Sequence, residues 1–233
     1  MKTVLVLGLD GAGKTLLVRR LAANLTKNKR SLLDRLTPRS VPLSAASALG
    51  DDAVNPDTQP TIGVEHSVLP FDSRAAALCE VGAQLLPRWH AYFESCDLWV
   101  FVVDLSNAAQ LAGAAVEFFA VLSHEDMRRK PKLLLLNKVD AFGTLEDSVL
   151  RAHLRLDQLL ARPDVGPLAI QKASALTGQH IDQVTKWINQ YVSFSPASLL
   201  TAPTSAFSGM SMNTTGRLQS SRLESRVHPT TAM

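Results

Sequence analysis

At 233 residues, with 46% hydrophobic and 19% charged side chains, the chain has the composition of one folded α/β domain with length to spare. Its formal net charge of +3, gathered in short runs such as KNKR (27–30) and RRK (128–130), describes solvated surface and argues against a nucleic-acid partner. No stretch approaches the ~20 apolar residues of a membrane span. Cys79 and Cys96 sit in or beside apolar stretches with no metal-ligand or disulfide pattern, so both are expected in the core of a cytoplasmic protein.

In chain order, KTVLVL (2–7) predicts a buried strand, and leucines at 16, 17, 21 and 25 predict a helix over 15–24. Residues 64–69 and 75–80 read as two strands joined by the turn former FDSR. LWVFVVD (98–104) and KLLLLNKVD (132–140) are continuous apolar runs, as in parallel strands covered on both faces. Helical patterns cover 106–124 and 145–161, and PLAIQKAS (167–174) reads as a last strand before a helix over 181–192. This alternation predicts a doubly wound, mostly parallel sheet of about six strands with helices on both faces, and ligand sites at the carboxyl ends of the strands. Residues 1–192 form the expected domain. Within it, 37–60 carries Pro38, Pro42, Pro56 and Pro60 among small polar residues and reads as a flexible insertion. Beyond it, 193–233 has 15 Ser or Thr in 41 residues and no steady apolar period, which reads as a disordered tail.

GLDGAGKT (Gly8–Thr15) follows the first strand and opens the first helix, the context that the pattern G-x-x-x-x-G-K-[ST] requires for phosphate binding. Backbone N–H groups of Asp10, Gly11, Ala12 and Gly13 would turn inward around the phosphates, helped by the positive end of the helix. Lys14 would reach the β- and γ-phosphates and the Thr15 hydroxyl would ligate Mg2+. The bland alternative is a glycine-rich turn before a helix.

Asn137-Lys138-Val139-Asp140 ends a later strand, and Ser174-Ala175 ends the next. Guanine presents an acceptor at O6 and donors at N1 and its exocyclic amine. Asp140 can accept from both donors, Asn137 can bond the N7/O6 side and tie down the phosphate loop, and the Lys138 stem can cover the ring. The N–H of Ala175 can reach O6, whereas adenine would leave Asp140 facing the wrong edge. GTP and GDP are therefore the expected ligands.

With these residues in hand, the chain resembles a small GTPase of the ADP-ribosylation-factor-like branch over residues 1 to about 192, apart from the insertion. Asp10 within GLDGAGKT, QPTIGVE (59–65) and Gln84 ahead of RWHAYF (88–93) carry the likeness. It implies a P-loop NTPase (small G-protein) fold. It also implies that Thr61 binds Mg2+ and senses the γ-phosphate, and that Gln84 orients the attacking water.

The second switch departs from the family pattern D-x-G-G-Q, reading Glu80-Val81-Gly82-Ala83-Gln84. Glu80 stands in the metal-holding position with one methylene too many, and Ala83 replaces a glycine whose N–H meets the γ-phosphate, restricting φ there. LLPR before Trp89 is also about two residues short. No arginine is placed to act from within the chain; Arg88 reads as surface. Intrinsic hydrolysis is therefore expected to be slow. A nucleotide-binding scaffold without hydrolysis stays open as an alternative, while NKVD argues against a P-loop nucleotide kinase.

Several residues are given plain roles. Trp89, Tyr92 and Phe93 are expected to pack in the core, Asp104 to serve a loop or cap, and His66, His90 and His124 lack metal-ligand spacing. The resemblance implies protein effectors, an exchange factor and an activating protein, around a monomer. The branch's N-terminal acylated helix is expected to be missing, since Lys2 opens the predicted first strand, and the tail shows no cysteine for lipidation. Any peripheral attachment, at Golgi or cilium-related membranes, would come through partners in vesicle or ciliary trafficking.

Overall fold

A computed structural model describes residues 1–36, 54–72 and 74–193. The expected insertion and tail fall largely outside them: within 37–60 only 54–60 are described, and within 193–233 only Ser193.

Six strands form one sheet in the order β2-β3-β1-β4-β5-β6. They are β1 (Lys2–Gly8), β2 (Val64–Pro70), β3 (Ala75–Val81), β4 (Leu98–Asp104), β5 (Lys132–Asn137) and β6 (Leu168–Lys172). β2 runs antiparallel to β3, and every other pair is parallel. Every residue of β4 and β5 is buried, which is why these strands read as unbroken apolar runs and not as alternating ones. Even Lys132, at the amino end of β5, is 0% exposed; its ammonium donates to the carbonyls of Arg128 (2.8 Å) and Gly166 (3.2 Å), and burial pulls its pKa down to about 8.

Two apolar cores lie on opposite faces of the sheet. One gathers Leu17, Leu21 and Leu25 of α1 (Lys14–Leu36) with Val184, Trp187 and Ile188 of α6 (Ile181–Ser193). The other gathers Leu111, Phe118 and Leu122 of α2 (Ala108–Ser123) with Trp99, Phe101, Trp89 and Phe93. Both cysteines are buried, and burial raises each thiol's pKa, that of Cys96 to about 11. Asn107 caps α2, its side chain accepting the Gln110 N–H at 3.2 Å.

The boundaries correct the sequence reading in three places. The first helix continues to Leu36, well beyond residue 24. The strand expected over 132–140 stops at Asn137, because Lys138 turns into the left-handed region at φ 65°. The helix expected over 145–161 is two short ones, α4 (Asp147–His153) and α5 (Leu156–Leu160), divided at Arg155 with φ 45°. The apolar period survives that break because Leu150, Leu154, Leu156 and Leu159 all reach the core. A short helix α3 (Glu125–Arg128) completes the set of described α-helices.

Candidate nucleotide site

The carboxyl ends of β1, β3, β5 and β6 converge where the phosphate loop leaves β1. Gly13 opens α1 with φ 90°, and a Cβ there would lie 2.5 Å from Asn137 Nδ2. Glycine is needed at this position both for the left-handed backbone and for the approach of Asn137. Asn137 uses that approach: its Nδ2 donates to the carbonyl of Ala12 at 2.8 Å, and its Oδ1 accepts the N–H of Ala175 at 3.0 Å. One buried amide thus joins the phosphate loop, the NKVD segment and the Ser174-Ala175 loop.

Lys14 is 6% exposed and folds back onto the loop, donating to the carbonyls of Gly8 (2.9 Å) and Leu9 (3.0 Å). Desolvation lowers its pKa, against the opposing pull of Glu80 and Asp10. Asp10 itself is exposed, and its carbonyl accepts from Gln110 Nε2 at 3.0 Å. The ammonium is poised in a cradle of carbonyls beside the turn of Gly11, Ala12 and Gly13.

Three oxygens meet on one side of Lys14. Thr15 Oγ1 donates to Glu80 Oε1 at 2.6 Å, Thr61 Oγ1 donates to the same oxygen at 3.0 Å, and the two hydroxyls lie 3.1 Å apart. Glu80 is 2% exposed, and its carboxylate turns toward both hydroxyls. The set is one carboxylate and two hydroxyls, hard donors that suit Mg2+, an ion ordinarily completed by substrate phosphates and water. Among the described residues no cluster of three or more His, Cys, Asp or Glu could hold a metal without such help.

Thr61 is delivered by a segment that packs along α1. Arg19 Nη1 donates to the carbonyls of Asp57 (3.0 Å) and Asn55 (3.4 Å), and an open cavity lies among Thr15, Arg19, Asp57, Thr58, Thr61 and Glu65. On the other side Gly82 passes so close that a Cβ would sit 2.1 Å from the Thr61 carbonyl oxygen, and its N–H donates to the Gly63 carbonyl at 2.9 Å. The two switches therefore touch through backbone at Gly82.

After Gly82 the chain enters a 3-10 helix, Ala83–Tyr92, with Pro87 inside it. Trp89 is buried against Phe101 and donates its indole N–H to the Gly82 carbonyl at 3.2 Å. Phe93 is buried and Tyr92 half-buried, in keeping with a packing role. Gln84 and Arg88 are exposed, and among the described residues no hydrogen bond joins Gln84 to the Thr15–Thr61–Glu80 group.

On the base side Asp140 is exposed at the rim. Asp104 does more than cap a loop. Its Oδ1 accepts the N–H and hydroxyl of Ser106 (2.8 and 2.6 Å), while Oδ2 pairs with Lys138 Nζ at 2.7 Å and fixes that stem. Ser174 is fully buried, its Oγ accepting the Thr177 N–H at 2.9 Å, which shapes the loop that presents Ala175. Sequence reasoning overlooked Arg19 and Arg20. The available signal for Arg20 was its place beside Leu17 and Leu21 on the buried stripe of α1, where a cation needs partners.

A six-stranded, mostly parallel sheet carrying GLDGAGKT at the end of β1 and NKVD at the end of β5 is the architecture of a P-loop small G protein. A profile of the ADP-ribosylation factor family matches residues 47–192, and the chain belongs to that family of GTP-binding switches and GTP hydrolases. It is 27% identical over 184 residues to human ADP-ribosylation factor-like protein 16, covering 79% of this chain and 83% of that protein. It is 26% identical over 191 residues to ADP-ribosylation factor-like protein 3 of Chlamydomonas reinhardtii, covering 81% of this chain and 89% of that one. Among solved structures, the Arl6 BBS3 small GTPase of Trypanosoma brucei, with bound GppNp, shares the fold at a TM-score of 0.59 and 23% identity, covering 82% of this chain and 97% of that one. Among the described residues no helix is long and apolar enough to cross a membrane.

Proposed function

We propose that the protein is a guanine-nucleotide switch that hydrolyses GTP slowly, and that its domain is residues 1–192 with 193–233 as an appended tail. The observation that carries this is the meeting of Thr15, Thr61 and Glu80 beside buried Lys14, because it couples a switch residue to the phosphate loop.

In this reading the inward N–H groups of Asp10, Gly11, Ala12 and Gly13 cradle the phosphates, and Lys14 leaves the carbonyls of Gly8 and Leu9 for the β- and γ-oxygens. Asp140 accepts from guanine N1–H and the exocyclic amine, Lys138 covers the ring, and Asn137 and Ala175 meet the O6 side; Ser174 shapes that loop. Thr15, Thr61 and Glu80 would hold Mg2+, which supplies neutralisation of the phosphate charge. Gln84 orients a water that attacks the γ-phosphorus; the bond to the β-γ bridging oxygen breaks, and GDP and inorganic phosphate leave. Ala83 keeps an N–H for the γ-phosphate but restricts the turn that aims it. Gln84 must also move inward from its exposed position, and both features make turnover slow. An activating protein that supplies an arginine would accelerate it.

The switch segments around Thr61 and Gln84 would present the nucleotide state to effectors, with an exchange factor resetting it, in the setting of vesicle or ciliary traffic. The chain acts as a monomer that reaches membranes through partners from the cytoplasm. Single-turnover hydrolysis of GTP by the purified full chain, with and without Gln84→Leu, tests the reading. Slow phosphate release that Gln84→Leu abolishes supports it. Bound GTP that persists equally in both proteins would instead give the nucleotide a scaffolding role.

A further inference from the structure

α1 begins in the phosphate loop, yet six residues after Lys14 it carries an arginine that turns toward the base side. Arg20 is 8% exposed. Its Nε donates to the Ala175 carbonyl at 3.0 Å and its Nη2 to the Leu176 carbonyl. The loop it grips is already compact: the Gly178 N–H donates to the Ser174 carbonyl (2.9 Å) and the Ser174 N–H to the Gln179 carbonyl (3.0 Å). Gly178, at φ 85°, lets the loop curl over Arg20; a Cβ there would stand 3.6 Å from the arginine Cδ.

These bonds close a circuit. From Arg20 it runs to the Ala175 carbonyl, through the Ala175 N–H to Asn137 Oδ1, from Asn137 Nδ2 to the Ala12 carbonyl, and back along α1 to Arg20. Each link between elements is a side chain bonded to backbone, at 3.0, 3.0 and 2.8 Å. Ala173, at the start of the loop, is held by backbone bonds to Leu136 and Val139, whereas the Ala175 peptide itself is held by Asn137 at its N–H and by Arg20 at its carbonyl. The bidentate fork of a guanidinium fixes orientation as well as distance.

We propose that Arg20 is a positioning residue for guanine recognition. It holds the Ala175 peptide beside Asn137, so that its N–H, which donates here to Asn137 Oδ1, is shared with O6 when the base is bound, and it couples that loop to the helix that binds phosphate. The inference rests on the guanine reading above, in which Asp140 takes the N1 and 2-amino edge and Ala175 the O6 edge. Substituting Arg20 should therefore damage one edge of base recognition and spare the other.

The test measures dissociation rates and affinities of GDP, 6-thio-GDP and IDP on the purified full chain. Sulfur at position 6 is a poor acceptor and reports the Ala175 edge; IDP lacks the 2-amino group and reports the Asp140 edge. The wild type is expected to prefer GDP over each analogue by about three- to tenfold, the range of one net hydrogen bond. In Arg20→Met, GDP should leave about three- to tenfold faster. Its preference over 6-thio-GDP should shrink to within twofold, and its preference over IDP should be retained. Arg20→Lys keeps the charge without the fork and should fall between. Should Arg20→Met fail to fold, Arg20→Lys decides alone: a 6-thio preference lowered at least twofold supports the proposal, and an unchanged one overturns it. A merely structural arginine would lower thermal stability and shift both preferences together, or neither. If the wild type favours GDP over neither analogue, the guanine reading fails and this inference with it. If the wild type discriminates and both variants keep its preferences, only the role of Arg20 fails.

Discussion

The two sides of the site are built differently. On the binding side, the phosphate loop, the NKVD turn and the Ala175 loop are cross-tied by side chains that are themselves buried: Asn137, Ser174 and Arg20. On the side of the second switch, the segment after Glu80 is a proline-containing 3-10 helix whose Gln84, Pro87, Arg88 and His90 all face solvent. It is fixed to the body chiefly by Gly82 and by Trp89 and Phe93 beneath it. A buried amide network holds its geometry without a ligand, whereas a 3-10 segment with poorer hydrogen-bond geometry can be rearranged at small cost. Binding is therefore built into the fold, and turnover must be assembled.

The strongest way to break this contrast is to strike the binding side. Gly13→Ala places a methyl 2.5 Å from Asn137 Nδ2 on a backbone at φ 90°. Asn137 cannot move without releasing both Ala12 and Ala175. Guanine-nucleotide affinity should fall by ~100-fold or more, from the combined loss of these hydrogen bonds and left-handed strain of about 1–2 kcal/mol. Equilibrium binding of GDP measures it. A loss of less than about tenfold would mean that the cross-ties do not set affinity.

Lys132 tests the same contrast from the amino end of β5, the end away from Asn137. Its folded pKa is lowered to about 8 from an ordinary value of 10.5 by burial. Between those values the unfolded chain holds the proton and the folded chain does not, so this group makes stability rise with pH across about 8 to 10.5 and contributes no slope below about 8. The wild type should therefore gain about 2 kcal/mol relative to Lys132→Met between pH 8 and 10. The difference between the two proteins isolates Lys132 from Cys96, whose raised pKa acts in the opposite sense as pH rises past 9. Denaturant unfolding at saturating GDP reads this gain. GDP affinity of the two proteins should stay within twofold, because among the described residues the Lys132 ammonium bonds the Arg128 and Gly166 carbonyls, away from Asn137.

On the second-switch side, Trp89→Phe keeps an aromatic ring against Phe101 and removes the donor to the Gly82 carbonyl. The protein should lose about 1 kcal/mol of stability. Its GTP hydrolysis should slow several-fold with GDP affinity within twofold of wild type, as separate single-turnover and binding measurements would reveal. Equal losses in both would merge the two sides that the structure separates.

Much of the binding side was legible because it is written in short contiguous motifs. GLDGAGKT needs glycines for backbone reasons, and NKVD and Ser174-Ala175 end strands that announce themselves as apolar runs. Topology then brings those strand ends together, and the β2–β3 pair was legible from FDSR between two strand-like runs. What could not be read depended on long-range partners. Arg20 looked like one more charge on a helix until its carbonyl partners 155 and 156 residues away were in place. Glu80 read as one methylene longer than the family residue, and its bonds to Thr15 and Thr61 depended on partners 65 and 19 residues away. The break at Arg155 escaped notice because the leucines on either side keep a helical period, and only the backbone at φ 45° records the interruption.

Ala83 gives the finest test of the contrast. It follows Gly82 at the entrance of the 3-10 helix, where the chain must reorient if its N–H is to meet a γ-phosphate. Alanine keeps the donor and narrows the accessible φ; glycine widens it, at a cost of roughly 0.5–1 kcal/mol to a helical conformation. Ala83→Gly therefore weakens the resting 3-10 arrangement and eases the turn toward phosphate. Single-turnover GTP hydrolysis should accelerate about two- to fivefold, the kinetic equivalent of that free-energy range. GDP affinity should not change beyond twofold, since the cross-ties of Asn137 lie elsewhere. A rate that stays flat would show that the turn at Ala83 does not limit the reaction, and would move the constraint to the inward swing of Gln84.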